Sequence, residues 1–438
     1  MPIKMLAKSI SIVCCICLLH PNITDAQTSM QPDTLRMDVK QAEKLFLDKN
    51  LSLLAGYYNI QSSKALVEQA RKWDNPMLNT DQNLYRDGKF FQHTTTHDSA
   101  GNSIPVGEFY VQIQQLIKTA GKRRKQVDLA KTNVSISEWQ FKSTMRSLRA
   151  ELLKDLYTVA QLQGNAKLYA QSQEQLNKLL HAMEAQFNAG NVAKKEYLRI
   201  QALLVSLQQD MTDNEKELDD TQAELKSLLQ ISGNTFIQPL LPDHENATIP
   251  DVSITKLLDS AKRNNTDYQL EVYQLQYQTE NVRLQKALAV PDLTLGPEFD
   301  QNANYAPNYF GLAISLPLPL LDRNQGNIKS AKFLTKAEEA NMQEAEIKLK
   351  NDVLNAYQKL RTTIMLSNGQ SKDFYKEYYQ LYSNIVESYN KRQISLLEFL
   401  DYFNDYEDIR QKELQQTLNL RMAKEELNDI VGIDVIID

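Results

Sequence analysis

The chain contains the same turn twice. Residues 187–199 read FNAGNVAKKEYLR, and residues 389–401 read YNKRQISLLEFLD. An aromatic (Phe187, Tyr389), an asparagine (Asn188, Asn390), a glutamate (Glu196, Glu398) and a leucine (Leu198, Leu400) recur in one order, each pair 202 positions apart. Around this turn the sequence falls into two copies of one plan. They occupy 37–230 and 254–432 and are separated by a linker, 231–253, that is rich in Pro, Asn and Asp. In each copy a helical segment (about 37–73 and 254–289) runs to a proline, Pro76 or Pro291. A pair of strand-like segments follows, then a very long helix, the tight turn (187–192 and 389–395) and a long returning helix. The repeat reads as an internal duplication that places a carboxylate beneath each tip.

A plan of this kind is helix-rich, and the composition agrees. Thirteen glycines and 13 prolines in 438 residues are too few for an all-β chain, and 24% of the residues are charged. The net charge of −6 argues against nucleic acid as the main partner. At the N-terminus Lys4 and Lys8 precede an apolar run, ISIVCCICLL, that is too short to span a membrane. Thr24-Asp25-Ala26 offers a small-residue cleavage site, so residues 1–26 read as a secretory signal peptide, the alternative being a buried N-terminal helix. Cys14, Cys15 and Cys17 all lie inside the run and none sits in a lipoprotein context, which leaves the mature chain without thiols for disulfides or metal. Beyond the run there is no apolar stretch of membrane-spanning length. If this exported chain enters a membrane, strands must do it.

The candidate strands lie at about 77–86, 108–117, 292–300 and 308–317. In FYVQIQQLI, Phe109, Val111 and Ile113 share one face while Gln112 and Gln114 share the other. In NYFGLAISLPL, Phe310, Leu312, Ile314 and Leu316 alternate with Gly311, Ala313 and Ser315. DLTLGPEFD sets Leu293, Leu295 and Phe299 against Thr294, Gly296, Glu298 and Asp300, and MLNTDQNLY alternates least clearly. One apolar and one polar or small face is what a strand between lipid and a wet lumen requires, although a strand half-buried in a soluble sheet looks the same. Only a closed barrel satisfies backbone polar groups in lipid, and four strands cannot close one. The chain is therefore expected to oligomerise, each protomer giving four strands with Phe109, Val111, Ile113, Phe310, Leu312 and Ile314 toward lipid.

The helices after the strands run from about Gly121 to Phe187 and from Asp322 to Tyr389, punctuated at Gly164 and at SNGQ (367–370). Sixty-five or so residues span roughly 100 Å. The returning helix of the first copy is heptad-patterned, with Ile200, Leu204, Leu207, Met211, Leu218, Leu225 and Leu228 on a and d and with Asn214 and Thr221 interrupting. In the second copy the same positions hold Tyr402, Tyr406, Ile409, Leu420, Ala423, Leu427 and Ile430, interrupted by Glu413 and Gln416. Such seams want partner helices, and their polar positions either fix register or face water.

Several segments resemble the TolC-type outer-membrane efflux proteins over essentially the whole mature length: VEQARKWDNPMLNTDQNLY, TAGKRRKQVDLAK, LPLPLLDRNQGNIKSAK and the two tips. The PLPLLDRNQGNI stretch is the most specific and is closest to the heavy-metal efflux (CzcC/CusC-like) branch. The resemblance implies a mainly α fold with a small β portion. Three protomers would share a 12-stranded outer-membrane β-barrel continuous with a 12-helix periplasmic α-barrel. It also implies a Gram-negative outer-membrane location reaching into the periplasm. The implied partners are outer-membrane lipid, a periplasmic adaptor (membrane fusion protein) and an inner-membrane pump of the RND type. No cofactor is implied.

On this resemblance Glu398 and Asp401 match the two acidic residues that ring the periplasmic entrance, where three-fold symmetry would gather six carboxylates able to attract or be blocked by cations. Ser395 and Glu398 also form a capping-box pattern, so Glu398 can equally close a helix N-terminus, with Asp401 solvated one turn on. Tyr389 matches the gate tyrosine and Glu196 its acidic partner, but the arginine that bridges them in the family falls on Ile394. Arg199, Arg392, Lys194 or Lys195 could replace it, or packing alone could hold the gate. Tyr389 can also be the last of an aromatic stripe with Tyr375, Tyr379 and Tyr382. Lys122, Arg123, Arg124 and Lys125 open a helix, where the dipole disfavours cations. Just below a barrel they could meet phospholipid headgroups, the alternative being solvated helix surface.

His93 and His97 in HTTTH have helical ligand spacing but fall in a loop between strands, without a third ligand nearby, so no metal site is assigned. Metal export would need none here, because selection belongs to the pump. No nucleophile–base pattern or phosphate loop is present, and the chain reads as a passive export duct rather than an enzyme. The rival reading is an exported coiled-coil scaffold or adhesin stalk without a pore, which would have no use for four symmetrically placed alternating strands.

Overall fold

The computed structural model describes residues 33–86, 88–91, 94–106, 108–242, 253–301, 308–369 and 372–436; the leader expected at 1–26 lies outside them. The first half runs β1 (Asp33–Met37), α1 (Val39–Lys49), α2 (Leu51–Arg71), β2 (Met77–Gln82), β3 (Tyr85–Arg86), β4 (Lys89–Phe90), β5 (Thr94–His97), β6 (Ser103–Val106), β7 (Phe109–Ile117), α3 (Lys122–Asn188), α4 (Lys194–Leu229) and β8 (Thr235–Pro239). The second runs α5 (Ile254–Asn264), α6 (Thr266–Leu288), β9 (Leu293–Asp300), β10 (Tyr309–Ser315), α7 (Gln325–Gly369), α8 (Lys372–Asn390) and α9 (Leu396–Val431).

The four expected strands form one antiparallel sheet in the order β10-β9-β7-β2, so the repeats meet at its centre, where β7 pairs with β9. Its register puts Val111 opposite both Thr80 and Phe299, and Phe299 opposite Phe310. Directly paired residues share a face. Phe109, Val111, Ile113, Leu295, Phe299, Phe310, Leu312 and Ile314 therefore lie on one side, with Phe310 76% exposed and Ile314 65%. The other side carries a polar ladder. Glu298 accepts from the Tyr110 hydroxyl (3.0 Å) and the Gln112 amide (2.8 Å), while Asn79 donates to Gln112 (3.2 Å). The first strand stops at Gln82, short of the expected 86, because Tyr85-Arg86 turns into a separate hairpin with Lys89-Phe90.

The helical part follows from how short helices are joined. Asn50 ends α1 and caps α2, its Oδ1 accepting from the N–H groups of Ser52 (3.0 Å) and Leu53 (3.2 Å). Its amide donates to the carbonyl of Leu228 in the last turn of α4 (3.0 Å). Helix termini leave such groups without partners. One side chain therefore satisfies the end of α4 and the start of α2 and splices the two alongside α3. Asn265 does the same in the second half. Its Oδ1 caps α6 at the Tyr268 N–H (2.9 Å), and its amide donates to Ile430 of α9 (3.0 Å). Leu228 and Ile430 are 202 positions apart, as are the left-handed C-caps Gln230 and Gly432.

Helix α3 runs unbroken for 67 residues through Gly164, where punctuation was expected. A Cβ there would stand 2.8 Å from Leu414 Cδ2, so the glycine permits a close helix crossing rather than ending a helix. Of the heptad seam of α4, Ile200, Leu207, Leu225 and Leu228 are buried and Leu204, Met211 and Leu218 half-buried, and Asn214 uses its place in it to donate to the Leu162 carbonyl of α3 (3.1 Å), which fixes register. Glu413 and Gln416, the interruptions in α9, accept from the hydroxyls of Tyr379 and Tyr375 on α8, the latter at 3.0 Å.

The linker is not featureless. Its residues 235–239 form β8, which pairs in parallel with β1. Ile237, fully buried, is held through both backbone groups by the Gln222 amide (2.7 and 2.9 Å). Around this pair lies a core of Phe46, Leu152, Leu156, Leu225 and Leu229, each worth about 1.5–3 kcal/mol on full burial. Asp155 on α3 is 2% exposed, with Oδ2 unpartnered among the described residues. Burial first, then the carboxylates of Glu224 and Glu151, push its pKa up to about 7, against a lowering by Lys154.

Two outcomes follow. Asn50→Ala or Asn265→Ala loses a cap and leaves a helix-end carbonyl without its donor, and each is expected to cost about 1–3 kcal/mol by denaturant midpoint. For Asp155, the folded state holds a proton that the unfolded chain releases near pH 3.8. Its contribution to stability should therefore be full below pH 4, fall up to about pH 7 and stay lost above it. Asp155→Asn should remove that part of the pH dependence and, at pH 8, be more stable than wild type by about 2 kcal/mol, well under the full conversion of the shift. Unfolding curves at pH 4, 6 and 8 read this directly.

Candidate functional site at the helical tips

The two tips have one backbone. In the first, Gly190 adopts φ 77°, the Gly190 N–H donates to Phe187 O (2.9 Å) and the Asn191 N–H donates to Gln186 O (2.9 Å). In the second, Arg392 adopts φ 56°, its N–H donates to Tyr389 O (2.8 Å) and the Gln393 N–H donates to Ser388 O (2.9 Å). This is a helix C-terminus closed through a left-handed residue, which suits glycine and strains arginine.

Beneath the turns the hairpins of the two repeats share one core. Met183 of α3, Ile200 and Leu207 of α4, Tyr382 of α8, and Phe399, Leu400 and Phe403 of α9 are all buried there. Tyr382 stacks on Tyr406 (centroids 4.0 Å apart, planes 9° off parallel), and its hydroxyl donates to Gln175 of the other repeat (2.7 Å). Tyr389 lies in the same core. Its ring packs on Phe399 at 4.7 Å and its hydroxyl contacts Met183 Sδ at 3.7 Å. Burial raises the Tyr389 pKa, and the charge of the Glu196 carboxylate adds to the rise, although among the described residues no hydrogen bond joins the two.

Ile394 sits at the edge of this core as a packing residue. Among the described residues none of Lys194, Lys195, Arg199 and Arg392 forms an ion pair with Glu196, and all four are exposed. Apolar and aromatic contacts thus occupy the place of the bridging arginine. Glu398 and Asp401 are exposed on the first turns of α9. Ser395 caps that helix by accepting from the Glu398 N–H (3.2 Å), whereas Glu398 itself points to solvent, so only half of the anticipated capping box forms. Asp405 and Asp408 continue the exposed acidic side of α9, and Lys412 closes it through an ion pair with Asp408. One acid is turned inward: Glu407 has its pKa raised by burial, lowered by a hydrogen bond from Ser172 and raised again by Asp210.

The basic segment at the start of α3 divides. Lys122 is 3% exposed and corrects the headgroup expectation. Its ammonium donates to Val290 O and Asp292 Oδ1, both at 2.6 Å, while the Thr119 N–H donates to the same carboxylate (2.8 Å). It bolts the end of β7 to the start of β9, across the repeats. Lys125 turns back to the Ala120 carbonyl (2.5 Å). Arg123 stacks its guanidinium 3.7 Å above the Trp73 ring, and Arg124 is exposed beside it. His93 lies outside the described residues, and His97 meets the Ser103 hydroxyl at 3.3 Å. Among the described residues no cluster of His, Cys, Asp and Glu is arranged to hold a metal, and no helix is long and apolar enough to cross a membrane.

The family model described as outer membrane efflux protein matches residues 44–230 and 257–433, one stretch in each repeat. The chain is 25% identical over 331 residues to the cobalt-zinc-cadmium resistance protein CzcC of Cupriavidus metallidurans, covering 72% of this chain and 73% of that one. Its fold superposes on the crystal structure of CusC with a TM-score of 0.71 at 15% identity, over 90% of this chain and 92% of that one. The Campylobacter jejuni CmeC outer membrane channel gives 0.72 at 15% identity, over 90% and 85%.

The tip geometry makes opposite substitutions predictable. Arg392→Gly relieves the left-handed strain and is expected to raise stability by about 0.5–1 kcal/mol, while Gly190→Ala introduces that strain and lowers it by about 1 kcal/mol. Denaturant midpoints of the two variants should move in opposite directions.

Proposed function

The chain belongs to the outer membrane efflux protein family, and from that premise we propose that it is the exit duct of a tripartite efflux system. Solutes would pass through it, without chemistry, from periplasm to exterior when a periplasmic adaptor and an inner-membrane pump of the RND type engage its tips. The observation that carries this reading is the sheet. It has one exposed apolar face bearing Phe310, Leu312 and Ile314, one polar face bearing Gln112 and Glu298, and outer strands β2 and β10 each with a free edge among the described residues. Open edges are intolerable in lipid, and three copies supply twelve strands with every edge paired. In the same arrangement the helices continue as a tunnel and its tips gather three copies of Glu398 and Asp401 around one axis. Tyr389, Glu196 and the aromatic core hold the resting gate by packing, in place of the absent arginine. The likeness to CzcC favours divalent metal ions as cargo over other small molecules.

Fractionation of the exported protein tests the duct. The expected result is an outer-membrane particle, extracted only by detergent, of three copies of a roughly 50 kDa chain. A particle soluble without detergent would remove the barrel and leave the stalk. In planar bilayers Glu398→Ala/Asp401→Ala is expected to conduct with cation selectivity reduced several-fold and block by divalent ions weakened at least tenfold. Unchanged block would remove the acidic ring.

A further inference from the structure

The structure holds a cavity of about 580 Å³ at the junction of helices and sheet, where α2 gives way to β2 and β7 gives way to α3. Arg71, Trp73, Lys118, Arg123, Arg124 and Lys131 line it. Its two acids are Asp74, paired with Lys118 at 3.2 Å, and Asp128, so five cationic side chains face two carboxylates. Among the described residues Arg71, Arg124 and Lys131 form no ion pair. Arg123 is held flat on Trp73, and its Nη1 has no hydrogen-bond partner among the described residues. Concentrating cations on the first turns of a helix opposes its dipole, and the two carboxylates offset the five cations only in part. An anion in the cavity would complete the balance.

The side of the helical layer on which the cavity opens identifies the anion. Lys131 and Arg149 are 18 residues apart on α3, which is five turns, so they share a face. Arg149 pairs with Glu43 of α1 at 2.6 Å, in the block that also contains β1 and β8. In the duct such a block has room only outside the bore, so the cavity opens outward as well. It lies directly below Ile117, the last residue of the apolar sheet face, and Trp73 is 62% exposed beside it. This is the depth of headgroups, where an amphipathic ring and a phosphate-seeking basic pocket belong. The matching helix start of the second repeat carries Gly326 and Asn327 instead of arginines.

We propose that this cavity binds the phosphate headgroup of an anionic phospholipid of the periplasmic leaflet, one per protomer, with Arg124 and Lys131 as its principal charge contacts and Arg123 on Trp73 as a fixed donor. The proposal rests on the duct reading, and its test separates the two. The full-length protein in detergent is titrated with dioleoyl phosphatidylglycerol, dioleoyl phosphatidylcholine or inorganic phosphate and read by native mass spectrometry, which reports the oligomer and the retained lipid together. A trimer that retains up to three phosphatidylglycerols, at least tenfold more tightly than phosphatidylcholine, is expected. Arg124→Ala/Lys131→Ala should weaken this retention at least tenfold, whereas Lys329→Ala/Lys332→Ala on α7 should not. Should the first double variant fail to assemble, Lys131→Gln alone is expected to weaken retention about threefold. Equal retention of the two lipids, equal retention by wild type and the cavity variant, or displacement by millimolar phosphate would overturn the lipid site while leaving the trimer intact. Absence of a detergent-bound trimer would overturn the duct itself.

Discussion

Two asparagine side chains, Asn50 buried and Asn265 half-buried, hold this architecture in register. Helices α3 and α4 have 67 and 36 residues, so the returning helix stops about halfway along its partner. The 21 residues of α2 take up the remaining length, and Asn50 joins the two ends. Without that junction the free N–H groups of α2 would face the last carbonyls of α4 that its left-handed cap leaves open, with nothing between them. The same problem recurs where α9 meets α6, and the same residue type answers it in Asn265. An amide suits the position because it donates and accepts at once from two separate atoms; an aspartate caps a helix equally well but has no donor for the preceding helix, and a serine would have to do both through one short-reaching hydroxyl.

Other joints are polar contacts between distant segments as well. Lys122 and Asp292 lock the two strand–helix transitions together, and Gln222 holds the β1–β8 pair through both backbone groups of Ile237. The apolar seams between these joints supply the bulk of the burial. They would tolerate a shift of one heptad if the polar contacts did not single out one alignment. Asn214 against the Leu162 carbonyl is the clearest instance.

Much of this was legible in the sequence where the signal was periodic. Alternation placed Phe109, Val111, Ile113, Phe310, Leu312 and Ile314 on one face, and the heptad pattern found Ile200, Leu207, Leu225 and Leu228, the buried positions of the α4 seam. The 202-residue offset foretold matching tips, which share their hydrogen bonds although one left-handed position holds arginine. What stayed hidden depends on partners far away along the chain. Lys122 looked like a free cation because Asp292 belongs to the other repeat, and β8 looked like linker because its partner strand lies some 200 residues earlier. Gly164 looked like a helix end because its reason, Leu414, is 250 residues away. At the tip, Phe399 and Phe403 escaped notice beside the acids, yet their spacing of four on an amphipathic helix was the available sign of a core.

The splice also makes the two sides of the first hairpin mechanically unlike. In α3 every turn is tied to the next by backbone hydrogen bonds, so the helix resists twist and bending along its full length. Along the other side, load passes end-on from α4 to α2 through the stacked termini, but rotation about the common axis is opposed mainly by one asparagine rotamer. The first half is thus a stiff mast beside a jointed strut: torque applied at the tip reaches the sheet through α3, while the other side can turn at its joint.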